Sequence, residues 1–369
     1  MKNLLNLYNR RITRFLNKMK EQADVALFLP GKNLFYLTGI SPQATLERLF
    51  AYLIYRDGKT TLIAPRLYEN EIDPQIATQC FFWSDSDDPY MLLRNELTHF
   101  SDLKIIMMIE KNTPAFFLLK LKEFIDIENI AFSDDILSSF RVIKDDDEVS
   151  LILRAAYIID ETFSKLLKSD IKGKTERQVA ALIDYIMKTL GASSPSFDTI
   201  VAAGENGANP HHSPSDRVIK DGDALVLDFG AVYNGYCSDI TRTVVIKKSS
   251  PDVEAVYNIV AEAQQKAIES VKENMPVKKI DETARKVIEA HNFGEFFIHR
   301  TGHGIGLDIH ESPYITNTNE EVLKNGMVFT IEPGIYLQGK FGIRIEDDIL
   351  VKDKATVLTK STKELVITG

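Results

Sequence analysis

Two aspartates lie in a segment whose pattern otherwise predicts buried strands, GDALVLDFGAVYNGYCSDITRT at residues 222–243. The apolar run that ends at Asp228 is typical of a buried strand, and the Asn-Gly pair at 234–235 predicts a two-residue hairpin turn. With that turn, Asp239 lies opposite Gly230 and is a diagonal neighbour of Asp228 on the same face, about 7–8 Å away. Buried carboxylates this close need a cation or a proton between them.

A second pair of acids, Glu332 and Glu346, stands in a matching arrangement later in the chain. Glu332 follows Gly326 by six residues, as Asp228 follows Gly222 by six, and an apolar strand pattern occupies both intervals. The second acid of each pair follows 11 residues on in the first case and 14 residues on in the second. Because four carboxylates cannot share a cleft without metal ions, the arrangement predicts a metal site.

The elements before these acids are also duplicated, which indicates the architecture of this part of the chain. In each half, two helical patterns precede a turn with lysine and glycine and then the strands. The predicted helices cover Val149–Leu167 and Thr175–Leu190 in the first half, and Val253–Val271 and Ile280–His291 in the second. A repeated unit of two helices and two strands predicts a domain with pseudo-twofold symmetry and with the acids between its halves.

A histidine, His303, stands among glycines in the segment TGHGIGLDIHE at 301–311. These glycines do not form a phosphate-binding loop, because no strand-to-helix transition follows them and their spacing is not that of a dinucleotide fingerprint. Glycines also allow the backbone to approach a buried ion, which favours His303 as a metal ligand. Of the other loop histidines, His212 and His299 are interpreted as residues without a role in the site.

The first part of the chain predicts a small α/β domain, because helical and strand patterns alternate there. Within it, residues 31–39 are interpreted as a turn with a short apolar segment. The charged stretch RVIKDDDE at 141–148 indicates a junction, since Asp145–Asp147 have the residue types of a helix N-cap and first turn. We therefore predict one domain at 1–140 and a second at 141–369.

Composition restricts the classes of partner. The net charge of −9 and the pI near 5.4 argue against a nucleic-acid partner or an anionic membrane, since both require a concentrated basic face. Two cysteines provide neither a disulfide framework nor a zinc cluster, which indicates a reducing compartment and predicts a cytoplasmic location. The sequence also lacks the pattern of a signal peptide and any apolar run of the ~20 residues that a membrane span needs.

With these residues identified, the chain resembles the pita-bread metallopeptidases (family M24), which include methionine aminopeptidases, prolidases and aminopeptidase P. The match covers the segments GHGIGLDIHE, IEPG and RIED together with DFGAVYNGYCSDITRT. The resemblance implies an α/β N-terminal domain, similar to that of creatinases and prolidases, followed by an α+β pita-bread domain with pseudo-twofold duplication. It also implies a dinuclear metal site in which Asp228 chelates one ion, Asp239 and Glu346 bridge both, and His303 with Glu332 completes the other.

The same resemblance implies the chemistry of the site. Two divalent ions, manganese foremost and cobalt or zinc as alternatives, would activate water and polarise the peptide carbonyl. An oxygen-rich set of four carboxylates and one imidazole is compatible with manganese. His211 and His310 match substrate-side histidines that hydrogen-bond the scissile carbonyl and the collapsing intermediate, and Arg344 would reach a carboxylate in the site or on the substrate. Relatives also lead us to expect a homodimer.

The substrate is expected to be a small peptide with proline at its second position. The N-terminal domain and the form RIED favour prolidases and aminopeptidase P over methionine aminopeptidases, and residues 196–212 are similar to those of microbial Xaa-Pro dipeptidases. Prolidase activity on dipeptides is therefore predicted. Some prolidases carry a basic residue shortly after the second histidine of the motif, but this sequence reads HESPY at 310–314, so an Xaa-Pro aminopeptidase acting on longer peptides is the alternative. A non-catalytic binding protein on the same scaffold would have lost ligands, whereas all five positions match here.

Overall fold

The computed structural model describes residues 2–42, 47–100 and 103–369. Contacts between Cα atoms divide the chain into two units, Met1–Phe140 and Arg141–Gly369. Each unit encloses hydrophobic clusters of its own. No helix within the described ranges is long and apolar enough to cross a membrane.

The N-terminal unit is built on a mixed sheet of six strands among its described residues, in the order β4-β3-β2-β1-β5-β6. The pairs β1–β2 and β2–β3 are antiparallel, and the remaining pairs are parallel. The strands are β1 (Val25–Phe28), β2 (Ala51–Tyr55), β3 (Thr60–Pro65), β4 (Gln79–Trp83), β5 (Lys104–Ile109) and β6 (Asp126–Phe132). The helices are α1 (Lys2–Met19), α2 (Lys32–Thr38), α3 (Pro89–Leu97), α4 (Ala115–Leu121) and α5 (Asp134–Arg141).

Both faces of this sheet are covered, as the period of two along β1 requires. Leu27 belongs to the cluster that includes Leu93 of α3 and Phe117 of α4. Its neighbour Phe28 points to the other face, where its ring meets that of Phe15 in α1, edge to face, at 5.3 Å between centroids. The α/β character predicted for this part of the chain is confirmed.

One local prediction in this unit is wrong. Residues 31–39 were predicted as a turn with a short apolar segment, but Lys32–Thr38 forms the helix α2. Leu34 and Leu37 are both buried, three residues apart, and Gly39 ends the helix in the left-handed region at φ 72°. Because periodicity alone does not separate helix from strand in so short an apolar run, burial against the rest of the unit decides.

The second unit contains the duplicated elements. Its helices are α6 (Asp146–Leu166), α7 (Glu176–Thr189), α8 (Pro251–Ser270) and α9 (Lys278–Ala290). The strands of the first half and its surroundings are β7 (Ser194–Pro195), β8 (Ile200–Ala203), β9 (Ala224–Phe229), β10 (Ala231–Tyr233), β11 (Tyr236–Cys237) and β12 (Ile240–Ile246). The later strands are β13 (Gly302–Gly304), β14 (Glu311–Ile315), β15 (Val328–Ile331), β16 (Gly334–Leu337), β17 (Phe341–Arg344), β18 (Asp347–Val351), β19 (Ala355–Val357) and β20 (Val366–Thr368).

Each half places a central strand against its own pair of helices. In the first half β9 lies between β8 and β12, in a sheet of order β20-β12-β9-β8. In the second half β15 lies between β13 and β18, in a sheet of order β14-β13-β15-β18-β19. The four predicted helices are present, and α6 begins at Asp146 rather than Val149 because Asp145 caps it in a reciprocal capping box with Glu148.

The hairpin predicted around the Asn-Gly pair is confirmed. Asn234 and Gly235 both have positive φ, 46° and 87°, as a tight hairpin turn of this kind requires. The predicted register continues past β10 and β11, because Thr241 of β12 pairs with Asp228 of β9. The face on which Asp228 lies is therefore set by local sequence.

Candidate metal centre

The five predicted ligands all stand at or beside strand ends of the second unit. Asp228 is in β9, Asp239 directly precedes β12, and His303 is the middle residue of β13. Glu332 directly follows β15, and Glu346 lies between β17 and β18. All five line one cavity of about 690 Å³.

The alternation of side chains along the two central strands explains why the acids face this cavity. Leu227 and Phe229 of β9 pack into the cluster formed with α6 and α7, so Asp228 points to the opposite face. In the same way, Phe329 and Ile331 of β15 pack with α8 and α9, and the next residue, Glu332, faces away from those helices. Each half therefore presents one acid to the space between the halves.

The distances within the cavity suit a bound cation. Ligand atoms of Asp239, His303 and Glu346 all lie within 4.8 Å of one another. The Nε2 atom of His303 is 3.7 Å from Oδ2 of Asp239 and 3.5 Å from Oε1 of Glu332. Three buried oxygens, Asp228 Oδ1, Asp239 Oδ1 and Glu346 Oε1, have no hydrogen-bond partner among the described residues. Buried acceptors without donors are costly, and carboxylate oxygens are ligands that hard divalent cations prefer, so the residues fit metal ions.

The electrostatics of the site also call for positive charge. Burial, followed by repulsion from neighbouring carboxylates, raises the pKa of Asp239 and of Glu346 well above their ordinary values. Burial raises the pKa of Glu332 to about 7, although Arg344 opposes this shift. Burial lowers the pKa of His303 to about 3, so its ring is neutral at physiological pH, as a metal ligand must be.

Arg344 lies inside the site and binds one of the predicted ligands. Its Nη2 donates to Oδ2 of Asp228, and its Nη1 donates to the Tyr336 hydroxyl at 2.9 Å. Its Nε donates at 3.1 Å to Oγ1 of Thr241, which in turn donates to Oε2 of Glu346 at 2.6 Å. The arginine thus reaches a carboxylate of the site itself, and Thr241 orients another.

His211 and His310 line the same cavity as the five predicted ligands. The ring of His310 stands edge to face with that of His303, with 4.2 Å between centroids. Burial lowers the pKa of His310, with Arg300 and His211 adding to the effect, so its ring is neutral near pH 7. His211 is exposed, and its ring makes no hydrogen bond within the described residues.

His212 and His299, which were interpreted as residues without a role in the site, also belong to the wall of the cavity. Nε2 of His299 lies 2.8 Å from the Tyr336 hydroxyl, and burial lowers the pKa of His299 to about 3. Nε2 of His212 lies 2.8 Å from Oε2 of Glu176. No local signal marks these residues, because their partners are 37 and 36 positions away in the chain.

Comparisons with known proteins show which family the chain is similar to. The model of metallopeptidase family M24 matches residues 150–353, and that of the creatinase/prolidase N-terminal domain matches residues 11–143. An Xaa-Pro dipeptidase of Pyrococcus horikoshii is 36% identical over 366 residues, which cover 98% of this chain and 100% of the relative.

Solved structures match over similar lengths. A prolidase from Thermococcus sibiricus is 45% identical, with a TM-score of 0.93, and the match covers 98% of this chain and 99% of that one. An X-Pro aminopeptidase from Thermotoga maritima is 34% identical, with a TM-score of 0.83, and the match covers 94% and 98%. The expected fold class, an α/β N-terminal domain followed by a pita-bread domain, is confirmed. This chain belongs to metallopeptidase family M24.

Proposed function

We propose that this protein is a metal-dependent Xaa-Pro dipeptidase, which hydrolyses the peptide bond before proline in dipeptides. One observation carries the proposal: buried carboxylate oxygens without donors and a neutral histidine converge in a single cavity of a family M24 chain. The cavity, at about 690 Å³, is within the usual range for small-molecule sites. The Xaa-Pro dipeptidase and the prolidase among the relatives support the substrate class.

The five predicted ligands would hold two divalent cations. The family resemblance makes manganese our first choice, with cobalt and zinc as the alternatives, and an oxygen-rich set of four carboxylates and one imidazole is compatible with manganese. When bound, the ions supply Lewis-acid chemistry, which polarises the peptide carbonyl and lowers the pKa of water.

The surrounding side chains orient this ligand set. Arg344 neutralises Asp228 and fixes its Oδ2, which leaves Oδ1 of Asp228 for a cation. Thr241 holds Oε2 of Glu346 and leaves Oε1 in the same way. These contacts set the direction of each carboxylate before a cation binds, since such outer contacts determine ligand geometry.

His310 and His211 are proposed to act on the substrate. A neutral imidazole carries one N–H donor and one acceptor nitrogen. His310 can therefore donate its N–H to the scissile carbonyl oxygen, where negative charge develops, and His211 can hold a proton near the departing amine. Both rings line the cavity, where a peptide would bind.

An Xaa-Pro aminopeptidase is the second candidate function. The residue four positions after His310 is Tyr314 rather than a basic residue, and its ring packs under the guanidinium of Arg300 at 4.6 Å. The X-Pro aminopeptidase among the structural relatives supports this alternative.

Hydrolysis of Ala-Pro and of Ala-Pro-Ala, measured with purified protein in one manganese buffer, separates the candidates. For a dipeptidase we expect kcat/KM for Ala-Pro to exceed that for Ala-Pro-Ala at least tenfold. The opposite ratio would assign the aminopeptidase activity. No bound metal after dialysis against manganese, with no hydrolysis of either peptide, would point to a binding protein. The homodimer that the resemblance implies is tested by sedimentation of the same sample.

A further inference from the structure

Glu176, the first residue of α7, is a fully buried carboxylate outside the metal centre. Its Oε1 accepts hydrogen bonds from the Ala203 amide at 2.8 Å and from Nδ2 of Asn206 at 3.0 Å. Its Oε2 accepts from the amide and the hydroxyl of Ser215, at 2.9 and 2.6 Å, and lies 2.8 Å from Nε2 of His212. Five donor atoms thus surround the two oxygens of one side chain.

All these donors come from a single segment, residues 203–215, which also carries His211. The ring of His211 makes no hydrogen bond among the described residues, so its place in the cavity depends on the backbone that carries it. Glu176 holds that backbone on both sides of His211, through Asn206 before it and through Ser215 after it. Both histidines of the neighbouring pair line the cavity, but the ring of His212 meets Glu176, whereas the ring of His211 makes no hydrogen bond among the described residues.

The ionised form of Glu176 suits a side chain that accepts hydrogen bonds from this segment. Burial alone would raise its pKa, but the hydrogen bonds from Ser215, Ala203 and Asn206 outweigh burial, so the pKa lies below its ordinary value. The ionised carboxylate has only acceptor sites, and only donors face it. A glutamine of the same shape would direct its NH₂ group at some of these donors.

The second half of the unit contains a similar buried carboxylate, which also accepts hydrogen bonds from a segment of the cavity wall. Asp281 stands 105 positions after Glu176, within one residue of the spacing between Gly222 and Gly326. It is fully buried, and its Oδ1 accepts hydrogen bonds from the amide and the hydroxyl of Thr301 at 3.2 and 2.7 Å. Thr301 leads directly into β13, which carries a predicted ligand. In both halves, a buried acid of the second helix therefore holds a segment of the cavity wall.

We propose that Glu176 is a positioning residue for His211: its carboxylate gathers residues 203–215 so that the imidazole of His211 faces the substrate. The inference rests on the proposed function, which assigns His211 to the substrate. Glu176 itself touches neither substrate nor metal. Misplacement of a substrate-side group by about 1 Å costs up to ~10²-fold in rate, so the effect of losing the anchor is measurable.

The test is Glu176→Gln in the full-length, manganese-loaded protein. We expect kcat/KM for Ala-Pro to fall at least about tenfold, mostly through kcat, with manganese content unchanged. In a chain that already carries His211→Ala, the same substitution should lower kcat/KM less than about twofold, because the group that Glu176 positions is gone. Equal losses in the two backgrounds, or loss of manganese, would overturn the proposal.

Asp160→Asn is the matched control. Asp160 accepts two backbone amides and a serine hydroxyl from residues 360–361, at 2.6–2.7 Å, so it holds a segment as Glu176 does. Neither Asp160 nor that segment lines the cavity. We expect this variant to lose stability and to keep kcat/KM for Ala-Pro within about twofold of the unmodified protein.

Two further measurements keep the proposal testable. If Glu176→Gln does not fold, Ser215→Ala removes one of the five donors, and it should lower kcat/KM by a smaller factor that disappears in the His211→Ala background. Amide hydrogen exchange measures how firmly residues 203–215 are held, and it does not depend on enzymatic activity. The exchange rate across 203–215 should rise at least about tenfold in Glu176→Gln and stay unchanged in Asp160→Asn. Unchanged exchange in Glu176→Gln overturns the proposal even if no Xaa-Pro peptide is cleaved, a result that would refute the proposed function separately.

Discussion

The two halves of the second unit present their acids in the same way but stabilise them differently. Asp228 of the first half is neutralised by Arg344, which comes from the second half. Glu332, its counterpart, has only the neutral His303 within ion-pair distance among the described residues. Burial raises the pKa of Glu332 to about 7, and the charge of Arg344 opposes this shift.

Contacts across the boundary between the halves run in both directions. Arg242 of the first half donates through Nη2 to Oδ1 of Asp347 at 2.7 Å, while Arg344 of the second half binds Asp228. The hydroxyl of Thr241 holds Glu346, and the Glu346 amide donates back to the Thr241 carbonyl at 3.1 Å. The site therefore belongs to neither half alone, and a cation between the halves would add to contacts that already join them.

The largest expected effect tests whether both halves supply the metal site. Asp239→Asn in the first half and Glu346→Gln in the second should each reduce bound manganese and lower turnover of Ala-Pro at least about 10³-fold. Elemental analysis and steady-state kinetics on folded protein measure both quantities. If either variant keeps full metal and full activity, the halves do not share the site as described.

Removal of metal should leave buried carboxylates without compensating charge. Burial raises the pKa of Glu332 from 4.5 to about 7, so the folded, ion-free protein holds a proton that the unfolded chain releases at lower pH. The stability of ion-free protein should therefore fall as pH rises from about 5 to about 7, by on the order of 3 kcal/mol, and stay low above that. A chelator should lower the Tm by about 5 °C or more at pH 8 and by much less at pH 5.

Thermal scans with and without chelator at both pH values provide the measurement. In the metal-loaded protein, bound cations compensate the negative charge of the carboxylates in place of protons. The stability of the metal-loaded protein should therefore depend little on pH over this range. A Tm at pH 8 that does not respond to the chelator would mean that the carboxylates are not held together by metal.

The two histidines that are proposed to act on the substrate should give the next largest effect. His211→Ala and His310→Ala should each lower kcat for Ala-Pro about 10²-fold, or about 2.7 kcal/mol, with manganese content unchanged. His291, which ends α9 and bonds the Val287 carbonyl outside the cavity, is the control, and His291→Ala should leave kcat unaffected. Loss of metal from His211→Ala would contradict its assignment to the substrate.

The smallest expected difference lies at the starts of the first helices of the two halves. Asp145 caps α6 in a reciprocal capping box with Glu148, whereas Ser250 caps α8 with one side-chain bond to the Val253 amide. Asp145→Ala should therefore cost more than Ser250→Ala, with both near 1 kcal/mol in the free energy of unfolding. Urea unfolding curves resolve such differences, and an equal cost would remove this contrast between the halves.

The features that could be predicted from the sequence are those whose decisive interactions are local. The Asn-Gly pair at 234–235 specifies its hairpin, and the period of two along β9 then specifies the face of Asp228. Helix starts were predicted to within a few residues because N-cap residues such as Asp145 lie directly before the helices that they cap. Short elements were less predictable, since α2 is distinguished from a turn only by what buries Leu34 and Leu37.

Partners distant in the chain were not predicted. Arg344 was expected to reach a carboxylate, but nothing near it in sequence identifies Asp228, which is 116 residues away. The contact between His212 and Glu176 likewise joins residues 36 positions apart. Pairing of this kind is set by how whole segments pack, which no local pattern specifies.

The sequence by itself determined the duplicated framework, the strand faces and the residue types that can bind metal, because periodicity and turn chemistry act over a few residues. Only the tertiary structure decided which acid is neutralised, which of two adjacent cavity-lining histidines meets Glu176, and which buried acid holds their segment in place. Each of these depends on desolvation and on donors contributed from distant segments, so each is settled only when the two halves pack together.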